Sequence, residues 1–338
     1  NLFNPLVGEI DNADGPSDNK SINSYTNTYM TEGFLARAQY DYDGKYFLSG
    51  SFRRDASSRF AKGHRWGNFW SVGGAWLLSN EDFLRSASFI DMLKFKVSYG
   101  QQGNDNLGSL YPYSDQYTHS YNAATQEYAI SLSYKGNEDL SWEKISSFNV
   151  GFDFGLFNGY LNGSAEWFSR TTSDLLYNKN VPLSAGNPTG YYPINIGSIR
   201  NSGFEVTLDG NIINTKNVRW AWNMNISHYK NVILDLDETV REKGIRGSNY
   251  IYKIGGSLYD AYMYKYAGVD PENGRALYWK HNDETGADTT TPIFDEATRY
   301  ELGTVMPKLY GGFGTSLNAY GFDFPVQFSY QLGGKFYD

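Results

Sequence analysis

The chain has 338 residues, a formal charge of −8 and no cysteine. The missing cysteine excludes disulfides and thiolate-held metals, and an acidic balance without clustered Lys and Arg argues against nucleic acid as a partner. No apolar run reaches the roughly 18 residues that a membrane-spanning helix needs.

Aromatics make up 17% of the chain, 29 of them Tyr, far more than an ordinary core uses. Tyr and Trp collect where one end of a ring is apolar and the other wet, as at membrane interfaces and sugar-binding surfaces. The mean hydropathy of −0.54 is compatible with membrane strands, because alternating strands average out. The opening Asn1-Leu2-Phe3-Asn4 carries no basic, apolar leader, as expected of a mature form or of part of a longer protein.

Period-two alternation starts at Phe34. Phe34, Ala36, Ala38, Tyr40 and Tyr42 share one strand face, with Arg37, Gln39 and Asp41 opposite. Asp43-Gly44 suits a tight type I′ turn, whose two central residues need positive φ. Tyr46, Leu48, Gly50 and Phe52 return against Ser49, Ser51 and Arg53. Next come Trp70, Val72, Gly74, Trp76 and Leu78, then Leu93, Phe95, Val97 and Tyr99 alternating with Lys94, Lys96 and Ser98. Phe148, Val150, Phe152 and Phe154 precede a turn at Asn158-Gly159, and Leu161, Gly163, Ala165 and Trp167 follow it. Phe204, Val206 and Leu208 lead through a turn at 214–217 to Trp220, Trp222, Met224 and Ile226. Leu309, Phe313 and Leu317 precede a turn at Tyr320-Gly321, and Phe324, Val326, Phe328 and Tyr330 close the series.

These are about ten strands of membrane-spanning length. None of the apolar faces just named carries a charge, as lipid contact requires: Lys or Arg at the midplane costs about 2–4 kcal/mol. Tight turns at 43–44, 158–159, 214–217 and 320–321 and a short link at 79–91 alternate with long links at 54–65, 101–144, 171–199 and 230–308. Up-and-down travel puts all short links at one end and all long ones at the other, the arrangement of an outer-membrane barrel with extracellular long loops. A soluble β-sandwich would alternate too. The polar faces are rich in Ser, Gly and Asn, with few of the Lys and Glu of a solvated surface, and this favours the membrane.

Several stretches are more specific. Lys45-Tyr46-Phe47-Leu48-Ser49-Gly50-Ser51-Phe52-Arg53-Arg54-Asp55 with Ser57-Ser58-Arg59-Phe60, Arg65-Trp66-Gly67-Asn68-Phe69, and Leu93-Lys94-Phe95-Lys96-Val97-Ser98-Tyr99-Gly100 with Gly103-Asn104 resemble the SusC/RagA family of TonB-dependent outer-membrane transporters. So do Leu140-Ser141-Trp142-Glu143-Lys144, Asn195-Ile196-Gly197-Ser198-Ile199-Arg200-Asn201-Ser202-Gly203, Tyr266-Ala267-Gly268-Val269-Asp270-Pro271, and Pro307-Lys308 with Gly311-Gly312. The resemblance covers nearly the whole chain. It implies an all-β fold, a transmembrane antiparallel up-and-down β-barrel of which residues 1–338 supply about ten strands of about 22, with a plug in the lumen. It implies uptake of glycans or peptides with a SusD-like surface lipoprotein, driven by the TonB complex through an N-terminal region that this sequence lacks. The run to Gly333-Gly334-Lys335-Phe336-Tyr337-Asp338 lacks a closing aromatic-terminated strand. An open edge is not tolerated in lipid, so the chain is expected to be a piece of a longer protein. The competing reading is a non-transporting outer-membrane or surface β-protein, a carbohydrate-binding or anchoring module.

No cofactor or metal is expected. His64, His119, His228 and His281 lack paired ligand spacing, Gly312-Phe313-Gly314 lacks the third glycine of a dinucleotide loop, and Asp270-Pro271-Glu272-Asn273-Gly274 lacks the distal Glu of a calcium loop. Asp153, Glu166, Glu205 and Asp209 alternate onto the polar faces, where hydrating a wet lumen is enough to explain them, and no catalysis is expected. Loop aromatics Tyr111, Tyr113, Tyr117, Tyr191, Tyr192, Tyr278 and Trp279 are the candidate ligand-binding residues, since rings stack on sugars and side chains; packing of the loops is the plainer role. Trp70, Trp167, Trp220 and Tyr330 are the candidate interface girdle in contact with outer-membrane lipid. Within the long excursion 230–308, Tyr262, Tyr264, Tyr266, the turn at 270–274 and Tyr278-Trp279 are expected to form a hairpin that contributes to the lipoprotein contact or the chamber beneath it.

Overall fold

A computed structural model describes residues 26–122 and 126–335, so the opening residues and the last three lie outside it. Its strands are, in chain order, β1 (Thr31–Tyr42), β2 (Tyr46–Ser57), β3 (Trp66–Leu77), β4 (Ile90–Asn104), β5 (Gln116–Asn122), β6 (Glu127–Tyr134), β7 (Glu143–Leu156), β8 (Leu161–Ser173), β9 (Leu176–Asn180), β10 (Tyr191–Asn195), β11 (Ser198–Asn214) and β12 (Val218–Asp235). The series continues with β13 (Ile245–Arg246), β14 (Ile251–Tyr252), β15 (Asp260–Tyr264), β16 (Tyr266–Val269), β17 (Ala276–His281), β18 (Asp288–Thr291), β19 (Arg299–Thr304), β20 (Leu309–Ala319) and β21 (Phe322–Leu332). Ten of these form one antiparallel sheet in the order β1-β2-β3-β4-β7-β8-β11-β12-β20-β21, an uninterrupted up-and-down walk. The other eleven pair among themselves within the long links.

The turns follow from residue type. Asp43 and Gly44 both have positive φ, 56° and 59°, the type I′ conformation whose twist matches the strands it joins. Tyr320 and Gly321 repeat it with 51° and 91°. The turn expected at Asn158-Gly159 is wider: Phe157 is left-handed as well, at 59°, and the link occupies the four positions between Leu156 and Leu161.

Register assembles the apolar faces into one surface. Tyr46 lies opposite Trp76, Trp76 opposite Phe95 and Phe95 opposite Phe152. Leu48, Gly74, Val97 and Val150 form the next row, and Leu208, Met224, Phe313 and Phe328 continue the face across the later strands. No second sheet covers it among the described residues. Leu48, Phe52, Val72, Phe152 and Phe328 all stand exposed, a continuous apolar surface far beyond what a soluble monomer presents. The soluble sandwich, in which Phe148, Val150, Phe152 and Phe154 would pack on a second sheet, is thereby set aside.

Two boundaries differ from expectation. The strands outrun their apolar stretches: β4 continues to Asn104, β7 begins at Glu143, β8 reaches Ser173 and β12 reaches Asp235. Backbone pairing needs no apolar side chain, so the ladder extends where alternation has stopped. The excursion therefore begins at 236, past the expected 230. Within it, only Tyr266 and Tyr278 pair as a hairpin, β16 with β17, while Tyr262 and Tyr264 pair with β19. The excursion is thus a small folded unit containing the three-stranded sheet β16-β17-β18 and the pair β15-β19.

Candidate functional site: a polar face beneath laced loops

The reverse of the sheet is polar. Ser49 and Gly73, Lys96 and Gly151, Gly151 and Glu166, and Glu166 and Glu205 are cross-strand neighbours on it. Lys96 pairs with Asp153 at 2.7 Å, Ser51 meets Ser71 at 2.7 Å and Asn162 donates to Asp209 at 3.3 Å. A concavity of about 580 Å³ lies on this face, bordered by Gln39, Asp41, Ser49, Lys94, Lys96 and Glu166. A second, of about 720 Å³, extends toward the long-link end past Ser71, Gln102 and Trp142. The four carboxylates singled out in the sequence divide here: Asp153 is ion-paired, Asp209 is hydrogen-bonded, and Glu166 faces Glu205 across the ladder. Among the described residues no cluster of His, Asp and Glu could hold a metal.

At the long-link end the sequence motifs become a scaffold. Phe60, Phe69, Leu140 and Trp142 form the buried core, with Leu107 and Leu176 against it. Trp142 packs on Phe60 at 5.5 Å and edge-on to Phe69 at 5.3 Å, and its Nε1 donates to the Arg65 carbonyl at 2.8 Å. Glycine at 67 and 103 is required by this packing, because a Cβ at either would collide with the Phe69 ring. Asp105 accepts from Ser57 Oγ at 2.6 Å, Tyr29 OH at 2.9 Å and Arg59 Nη1 at 3.1 Å. Glu143 accepts from Asn104 and from the Leu176 amide, both at 3.1 Å. Asn195 bridges to Ser141 in both directions at 2.8 Å. The links at 58–65, 105–142 and 174–197 are therefore tied together over one end of the sheet. Farther out, Lys179 binds Asp237 at 2.7 Å. That hydrogen bond, with a second from Thr239, lowers the Asp237 carboxyl to about 2. Burial, with Tyr191 and Tyr192 nearby, pushes the Tyr134 hydroxyl up to about 12.

The seven loop aromatics do not form one surface. Tyr111 donates and accepts through its hydroxyl at the Thr28 backbone. Tyr113 is half-buried and Tyr117 is 63% exposed. Tyr191 packs on Tyr134 at 6.2 Å and adjoins half-buried Tyr192. Tyr278 packs edge-on to Phe294 at 5.1 Å, and Trp279 lies under Lys265 at 5.4 Å. The four girdle candidates all lie on the apolar face. Trp70 sits toward the long-link end, 5.4 Å from Tyr99, whereas Trp167 lies at the middle of β8, opposite Val150 and 5.9 Å from Phe148. Trp220 lies near the 215–217 turn and donates to Thr315 at 2.7 Å, and Tyr330 donates to the Asn225 carbonyl at 3.0 Å.

A curved sheet with one bare apolar face and one polar concave face is the wall of a transmembrane β-barrel. The chain belongs to the TonB dependent receptor-like β-barrel family, whose pattern matches residues 3–337. It is 34% identical over 295 residues to the TonB-dependent receptor P39 of Formosa agariphila, covering 84% of this chain and 26% of that protein. It is 28% identical over 331 residues to the TonB-dependent receptor SusC of Bacteroides thetaiotaomicron, covering 93% of this chain and 32% of that one. Among solved structures, the RagAB peptide importer in its closed-closed state superposes with a TM-score of 0.79 at 30% identity, over 90% of this chain and 34% of the other. The chain thus spans about a quarter to a third of the length of these relatives.

Proposed function

We propose that this chain is part of the barrel wall of a bacterial outer-membrane importer for oligosaccharides or peptides. In this reading the TonB complex drives it, a SusD-like lipoprotein covers the long-link end, and that end faces the outside. The observation that carries the reading is the division of one ten-stranded sheet into an uncharged apolar middle and a hydrated concave face. Kinship with receptors named SusC and RagAB supports the cargo classes. The polar side chains stay hydrated and line the path. Tyr117 and Tyr191, 63% and 37% exposed, are the loop aromatics best placed to stack on a ligand, while Tyr111, Tyr278 and Trp279 hold the loops together. No bond-making role is assigned to Glu166 or Glu205, and the full-length protein should pass its cargo unhydrolysed.

The chain has no cysteine, so the two faces can be distinguished chemically in a full-length protein cleared of other thiols. Cysteine at Ser98 or Asn149 should react with a membrane-impermeant maleimide, and cysteine at Val97 or Val150 only with a lipid-soluble one. Uptake of labelled oligosaccharide or oligopeptide should collapse with the proton gradient. Reaction of all four cysteines with the impermeant reagent, or uptake that survives without the gradient, would overturn the proposal.

A further inference from the structure

The apolar face is not uncharged along its full height. By register, six charged residues of the ten-stranded sheet share it: Glu32, Arg54, Lys144, Arg200, Lys230 and Asp235. All six lie at the long-link end, and no paired charged residue of that face lies at the turn end. Four are basic. Arg54 is engaged, its guanidinium 4.9 Å over Trp66, and Lys144 pairs with Asp174 at 3.2 Å. Arg200 and Lys230 are exposed. Among the described residues neither enters an ion pair, and the acids that follow, Asp235 and Asp237, are taken by Arg241 and Lys179.

These two stand next to each other. Lys230 is opposite Ser202, two positions along β11 from Arg200, and His228 is opposite Phe204 with its ring 5.6 Å away. Phe204 is in turn opposite Trp167, so the basic pair surmounts the aromatic row. Four residues separate Arg200 from Phe204, about 13 Å of strand, or roughly 9 Å of height at a 45° tilt. Lys230 is about 5 Å above His228 by the same reckoning. Measured from Trp220 at the turn end of β12, Lys230 is ten positions up and Arg200, opposite Val232, is level with the twelfth, about 23 Å and 28 Å of height by the same reckoning. Against an apolar band about 25 Å tall, both cations stand at its long-link edge, in reach of the headgroup layer, about 5–8 Å deep. A cation held there without a protein anion matches a lipid phosphate, which a guanidinium and an ammonium bind by charge-assisted hydrogen bonds.

We propose that Arg200 and Lys230, with His228 beneath them, bind the phosphate headgroup of an anionic lipid in the leaflet at the long-link end. The proposal rests on the membrane reading above, and it adds a lipid preference confined to one side of the barrel.

Purified full-length protein is titrated with lipid A, phosphatidylcholine or inorganic phosphate, with bound lipid read by native mass spectrometry. In parallel, its insertion into phosphatidylcholine vesicles is measured. Wild type should retain lipid A in preference to phosphatidylcholine. Arg200→Gln with Lys230→Gln should weaken lipid A about tenfold to thirtyfold, at roughly 1 kcal/mol per cation. Arg170→Gln, on the polar face beside Asn201, should behave as wild type, and the heat-modifiable barrel band checks folding of each variant. Equal lipid A retention by the double variant overturns the proposal. So does displacement by inorganic phosphate at comparable concentration, which would make the site one for the free anion. Insertion without headgroup preference sinks this proposal alone, and failure to insert sinks the membrane reading with it.

Discussion

Replacing Asp105 with alanine should loosen the long links without unravelling the sheet. Asp105 is the single acceptor for three donors from two other segments: Tyr29, Ser57 and Arg59. Only 14% of its side chain and 16% of that of Arg59 are exposed, and Arg59 Nε is buried without a partner. Alanine at 105 would leave a mostly buried guanidinium unpaired. Breaking a fully buried pair costs about 3–5 kcal/mol. The residual exposure and the Tyr29 ring, 4.6 Å from the guanidinium, reduce this to about 2–4 kcal/mol. The open population of the links at 58–65 and 105–142 should therefore rise roughly thirtyfold to several hundredfold. Asp105→Asn keeps acceptor capacity while losing the charge, and should fall between. Limited proteolysis of the full-length protein in membranes reports the open population directly when reclosing outpaces cleavage, and the heat-modifiable barrel band should be unchanged. Cleavage of Asp105→Ala within about twofold of wild type would refute the assignment of Asp105 as the tie.

Val150→Arg, in the middle of the apolar face between Val97 and Trp167, should destabilise the inserted barrel by about 2–4 kcal/mol in urea titration; Asn149→Arg next to it, on the polar face, should cost little. Lys179 holds Asp237 ionised down to about pH 2. A depressed carboxylate contributes stability above its unfolded value and loses it as pH falls through the folded one, so that tie should be intact at neutral pH and weaken between about pH 4 and 2. Spin labels at Thr189 and Glu238 should show a broadened distance distribution only in that window, and Lys179→Gln should abolish the transition. Tyr278→Ala removes the ring packed on Tyr266 and Phe294 and should disorder the excursion; if that unit contacts a surface lipoprotein, co-purification of the lipoprotein falls while barrel folding persists.

The sequence by itself determined the strands, the turns and the two chemistries of the sheet. All three are local: side chains alternate across a strand with a period of two, and Asp43-Gly44 and Tyr320-Gly321 supply the positive φ that their turns demand. The family resemblance was legible in the same way, through short runs such as Ser57-Ser58-Arg59-Phe60, although their role was not. Only the tertiary structure made Arg59 a partner of Asp105, 46 positions away, and made Gly67 and Gly103 the space for Phe69. Strand ends are not legible in the sequence for a related reason. Past Tyr99 or Ile226 the alternation fades, but the backbone ladder continues to Asn104 and Asp235. The loop aromatics carried no periodic signal, and their partners lie on other segments, as with Tyr191 on Tyr134. Arg200 and Lys230 are 30 residues apart in sequence and become neighbours through the β11–β12 register. Alternation fixes which way a side chain points along one strand, but what it meets is decided by pairing between strands, which is non-local.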